Sequence, residues 1–122
     1  MFRTLALSLF LLVSAFGSSR AGSPFELLFV DRSGCPWCVR FEREVVPIYD
    51  KTSMGSEAPL VKVSLDDGQP KNVSLDLPVR FTPTFVLLKD RKEIGRITGY
   101  MNDATFWGLL DKMLAEHRDT RP

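Results

Sequence analysis

The chain has 122 residues, 44% of them hydrophobic and 25% charged, and carries a net charge of +1. These proportions describe one globular domain of modest size. Lysine and arginine alternate with aspartate and glutamate instead of gathering into a basic run, which argues against nucleic acid or an anionic membrane surface as a partner.

Met1-Phe2-Arg3 is positively charged, Leu5 to Phe16 is apolar apart from Ser8 and Ser14, and Ser19 and Ala21 stand where small residues precede a cleavage site. The pattern predicts a secretory signal peptide over residues 1–21, cut after Ala21 or Gly22, with 22–122 left as a single domain. A membrane anchor is the competing reading, but the apolar run falls short of the roughly 18–20 residues a span needs. Cleavage would remove Arg3 and Arg20 and no acid, taking the net charge from +1 to −1.

Phe25 to Val30 is nearly all apolar and rich in β-formers, as a strand buried on both faces would be. A turn over Asp31 to Gly34 leads to Cys35-Pro36-Trp37-Cys38, which holds the chain's two cysteines. Apolar Cys38, Phe41, Val45, Ile48 and Tyr49 then recur at helical spacing, with Arg40, Glu42, Arg43 and Glu44 opposite. Pro36 suits a first helical turn, whereas Pro47 should kink or end the helix near Val46. Lys51 to Pro59 reads as a polar loop and Leu60 to Leu65 as a second strand. A helical crossover between the two strands makes them parallel. After a turn at Asp66 to Pro70, Lys71 to Arg80 is ambiguous between a loop and a short helical turn, because Pro78 forbids a long helix.

Phe81 to Lys89 reads as a third strand with Pro83 at its mouth. That proline is either a tolerated strand-edge residue or the second member of a cis Thr82–Pro83 bond. Asp90 to Lys92 turns the chain back into a fourth strand, Glu93 to Thr98. Asn102 or Asp103 would cap a last helix whose face is Phe106, Leu109, Leu110, Met113, Leu114 and His117. A histidine in the last turn is favoured by the helix dipole, and nothing in the sequence brings His117 to the cysteines.

The C-x-x-C pair carries the chemistry. A strand feeding a helix through two cysteines places the first at a helix N-terminus, where partial positive charge and unpaired N–H groups favour a thiolate. The second lies about one turn on, within reach of a disulfide. Structural zinc would need four nitrogen or sulfur ligands, and only Cys35, Cys38 and His117 are on offer. A structural disulfide closing so short a loop would be a poor staple. In an exported protein, such a pair more readily handles other proteins' disulfides.

The order of elements, the Cys35-Pro36-Trp37-Cys38 motif and the later Thr82-Pro83 together resemble the thioredoxin-like superfamily of thiol-disulfide oxidoreductases, over almost all of residues 24–117. The resemblance implies an α/β fold with a four-stranded mixed sheet, order 2-1-3-4, flanked by helices. It implies Cys35 as exposed nucleophile, Cys38 as buried resolving cysteine, a cis Pro83 against the pair, and Thr82 as the residue whose backbone meets a substrate peptide. Pro36 and Trp37, inside the motif, would tune the pair, and Trp37 would offer partners an apolar platform, unless it packs on its own domain. Two departures stand out. The dipeptide Pro36-Trp37 is closer to the glutaredoxin pattern than to that of thioredoxin, and the buried acid of thioredoxin falls on Phe29, so proton handling cannot be carried over.

An exported member of this kind is similar to the periplasmic thioredoxins, among them those that reduce a sulfur-carrying protein during sulfur-compound oxidation. The implied partners are proteins with disulfides or mixed disulfides and a membrane thiol-disulfide electron donor. The chain would act as a monomer in the periplasm, without cofactor or metal. Two rival classes stay open: a glutathione-linked enzyme, and a non-catalytic binding module that uses Trp37 and Thr82 only for docking.

Overall fold

The computed structural model describes residues 22–118, so the expected signal peptide lies outside the described residues. The elements are β1 (Phe25–Asp31), α1 (Pro36–Glu44), α2 (Val46–Tyr49), α3 (Ser53–Glu57), β2 (Leu60–Ser64), β3 (Thr84–Lys89), β4 (Lys92–Thr98) and α4 (Asp103–Arg118). The sheet order is β2-β1-β3-β4, as the resemblance implies. β1 runs parallel to β2 and antiparallel to β3, and β3 pairs antiparallel with β4. The parallel step follows from the crossover through α1, α2 and α3.

β1 and β3 are the central strands, and their unbroken apolar runs bury both faces. On one face Leu27, Phe29, Phe85 and Leu87 meet Phe41 of α1, Tyr49 of α2 and Phe106, Leu110 and Leu114 of α4. Phe41 is the hub, with ring centroids 4.7 Å from Phe29, 4.5 Å from Phe85, 4.9 Å from Phe106 and 5.4 Å from Tyr100. On the other face Leu28, Val30, Val86 and Leu88 are covered by Val73, Leu75 and Val79. The ambiguous segment is therefore an irregular strap over that face. It is fastened by Gln69, whose amide donates to the Val79 carbonyl at 2.8 Å and accepts from the Val79 N–H at 2.7 Å.

Several sequence expectations shift in detail. The polar loop before β2 contains α3, because the Thr52 hydroxyl accepts from Gly55 N–H at 3.0 Å and caps a short helical turn. Leu65 leaves β2 for a 3-10 turn over Leu65–Asp67. β3 starts only at Thr84, so Phe81 is not part of it and stays exposed. Ile48 and Leu109, expected on apolar helix faces, are 45% and 41% exposed. For Ile48 the cause is the break at Val45, where α1 ends and Pro47 starts a separate turn with a different facing. The hairpin between β3 and β4 is tighter than expected, since Asp90 and Arg91 alone turn the chain, both at positive φ.

Candidate active site

The β1–α1 junction builds the site. Gly34 takes φ +76°, which side chains rarely adopt, and swings the chain from the strand into the helix. Asp66 braces the loop by accepting from the Ser33 N–H at 3.0 Å and the Ser33 hydroxyl at 2.5 Å. Those hydrogen bonds hold its carboxyl below the usual carboxylate range. Cys35 is then the N-cap of α1, with Pro36 at the first helical position. Its sulfur accepts from the Cys38 N–H at 3.2 Å. The two cysteines form a disulfide with a Cα–Cα distance of 5.3 Å.

Both sulfurs sit against the aromatic cluster. Cys38 is 3% exposed and Cys35 8%, so the expected contrast between an exposed and a shielded cysteine is small in the closed pair. Trp37 is 52% exposed and does not enter the core. Instead the Arg40 guanidinium lies 5.8 Å from the centroids of both Trp37 and Tyr100. Glu44 holds that arrangement, accepting from Arg40 Nε at 2.8 Å and from the Tyr100 hydroxyl at 3.1 Å. Burial, aided by the Glu44 carboxylate, pushes the Tyr100 hydroxyl up to about 12.

The Thr82–Pro83 bond is cis, as the sharper sequence reading expects. Pro83 is buried, and its carbonyl accepts from Gly99 N–H at 2.7 Å. Thr84 pairs with Val30, which places Thr82-Pro83 at the end of the sheet from which β1 runs into Cys35. Thr82 is part-exposed, and among the described residues no hydrogen bond uses its backbone N–H or carbonyl. His117 is far from all this. It lies at the end of α4, its Nδ1 2.8 Å from the Met113 carbonyl and its own carbonyl near Lys89 at the opposite end of β3. Phe29 is fully buried, so a phenyl ring fills the position on β1 where thioredoxin carries its buried acid.

Two clefts flank the motif, each about 440 Å³. One is apolar and runs past Trp37 over Tyr100, Met101 and Leu109. The other holds Cys35 and Cys38 together with Asp31, Glu42 and Lys62. Lys62 of β2 bridges Asp31, at 3.3 Å, and Glu42. Its pKa is raised, first by the Glu42 hydrogen bond. The sequence reading missed this charged group and the Arg40–Glu44–Tyr100 group. The available signals were Glu42 at i+4 from Cys38 and a lone lysine inside an apolar strand.

The fold and the closed C-x-x-C pair at a helix N-terminus define a thiol-disulfide oxidoreductase. A family model described as a thioredoxin-like domain matches residues 18–114, and the chain belongs to that family. It is similar to the periplasmic thioredoxin SoxS from Paracoccus pantotrophus, whose reduced form is known. The two share 36% identity over 75% of this chain and 97% of that one, with a TM-score of 0.72. Thioredoxin f from spinach chloroplast, at 23% identity, matches in fold, covering 77% of this chain and 71% of its own with a TM-score of 0.54. A thioredoxin-fold protein from Helicobacter pylori does so at 21% identity and a TM-score of 0.56, over 80% of this chain and 74% of that one.

Proposed function

We propose that the chain is an exported thiol-disulfide oxidoreductase that reduces, or isomerises, disulfides of protein partners in the periplasm. Cys35 as thiolate attacks a partner disulfide, forms a mixed disulfide and expels one partner sulfur. Cys38 then attacks the Cys35 sulfur, closes the pair and releases the reduced partner. The observation that carries these roles is the N-cap position of Cys35, whose sulfur receives the Cys38 N–H at the positive end of α1. Cys38, one turn inside and more buried, suits the resolving role. Trp37 supplies an apolar surface beside the sulfurs, and the unused backbone of Thr82, next to Pro83, supplies a strand-like contact for the partner's chain.

The similarity to a periplasmic thioredoxin supports export and, with it, removal of residues 1–21 as a signal peptide. By the same resemblance, the natural partner is a sulfur-carrying protein of sulfur-compound oxidation, and a membrane thiol-disulfide carrier recharges the pair. The protein acts as a monomer.

The test is trapping. After reduction, Cys38→Ser should accumulate mixed disulfides with periplasmic proteins, and Cys35→Ser should not. In the reduced wild type, Cys35 should be alkylated faster than Cys38 at neutral pH. Adducts formed only by Cys35→Ser would reverse the roles. Absence of insulin reduction with dithiothreitol would leave a binding module.

A further inference from the structure

Resolution of the mixed disulfide needs a proton removed from Cys38. Burial against Phe29, Phe41 and Phe85 disfavours a thiolate there, so the thiol keeps its proton until a base takes it. Among the described residues, the aromatic cluster around Cys38 holds no carboxylate or histidine. Besides the cysteines, its titratable members are Tyr49 and Tyr100, whose hydroxyls donate to the Ala58 carbonyl and to Glu44. The cleft on the other side is different. It is about 440 Å³, room enough for water, and exposes Asp31 from β1, Arg32 from the loop, Glu42 from α1 and Lys62 from β2 to the sulfurs. Asp66, which braces the loop, is committed to Ser33.

We propose that Glu42 is the proton acceptor for Cys38, reached through the solvent of this cleft, and that Lys62 and Asp31 position it. Glu42 is at i+4 from Cys38, so the two share a helix face, and helical side chains lean toward the N-terminus, here toward the sulfurs. Lys62 ties Glu42 to the strand and so keeps it over the cleft. Asp31 holds Lys62 from the other side at 3.3 Å. In the step, the Cys38 proton passes to the Glu42 carboxylate as the Cys38 sulfur bonds to the Cys35 sulfur. The Cys35–partner S–S bond breaks, its electron pair leaves with the partner sulfur, and that sulfur is protonated by Glu42 or water. The partner gains two electrons and the cysteine pair loses them.

The inference rests on the cysteine roles proposed above, and single-turnover kinetics separate the two. Full-length protein is reduced with a dithiol, freed of reductant and mixed with insulin, and mixed-disulfide formation and decay are followed between pH 6 and pH 9.5. Glu42→Gln should still form the mixed disulfide, so that its formation and its decay are read separately. Its decay should be slower by about tenfold or more at pH 6.5, converging on wild type at high pH where hydroxide replaces the missing base. Glu42→Asp should recover part of the rate. Equal slowing at every pH, or none, would overturn the assignment, as would a pH-dependent loss in Asp31→Asn and not in Glu42→Gln. If Cys38→Ser, which cannot resolve the bond, forms no Cys35 adduct, it is the parent reading that fails.

Discussion

Two aromatic residues of the first helix region separate stability from recognition. Phe41 is fully buried and touches four other rings, so Phe41→Ala leaves a cavity that its neighbours cannot close. It should destabilise the domain by about 3–5 kcal/mol, read from urea unfolding. Trp37, four positions earlier, is half exposed, with the Arg40 guanidinium over its ring. Trp37→Ala should cost no more than about 1 kcal/mol. It should nonetheless slow reduction of insulin more than reduction of a small aromatic disulfide, because only a large partner uses the platform. Equal slowing of both substrates would reduce Trp37 to a tuner of the pair.

At the scale of elements, the ion pair of β4, a buried Glu93 carboxylate held by a part-exposed Arg96, gives a pH signature. Glu93 has a side chain 4% exposed and accepts from Arg96 Nε and Nη2, at 2.7 Å each, and from Asp76 N–H at 3.0 Å. Burial alone would raise its pKa, but the Arg96 and Asp76 hydrogen bonds overcome burial and leave the carboxyl below its ordinary value. A folded pKa below the unfolded one means stability that is complete above the unfolded carboxylate pKa and lost as pH falls through the folded one. Arg96→Leu would strand the carboxylate, costing about 3 kcal/mol at pH 7. That loss should shrink below pH 4 as Glu93 takes up a proton, which urea midpoints at both pH values would show. A loss independent of pH would mean that Arg96 acts by packing over Leu77, whose carbonyl it also holds.

For the whole molecule, two apolar faces and not the disulfide hold the fold together. One face of the sheet is closed by helices and the other by the strap of Val73, Leu75 and Val79. The Cys35–Cys38 loop spans so few residues that closing it removes little chain entropy, on the order of 2 kcal/mol or less. The reduced protein should therefore stay folded, with a urea midpoint only modestly below that of the oxidised form. Unfolding on addition of dithiothreitol would make the pair a structural staple and remove the case for redox cycling.

Local chemistry made much of this legible in one dimension. The alternation of apolar strands with helical spacing, the crossover between β1 and β2, the tight β3–β4 turn and Cys35 at a helix start all follow from neighbours in the chain. The paired motifs Cys35-Pro36-Trp37-Cys38 and Thr82-Pro83 then pointed to the family. What the sequence left open lay in contacts between distant residues. Whether the segment around Val73 to Val79 was loop or helix depended on its covering an apolar sheet face that only the folded chain presents. Ile48 and Leu109 matched helical periodicity, yet ended exposed, because periodicity says which residues share a side and not whether anything packs against it. The Asp31–Lys62–Glu42 group joins two strands and a helix beside Cys38. It exists only because the parallel pairing of β1 and β2 sets Lys62 opposite Phe29, at the place where an acid is missing.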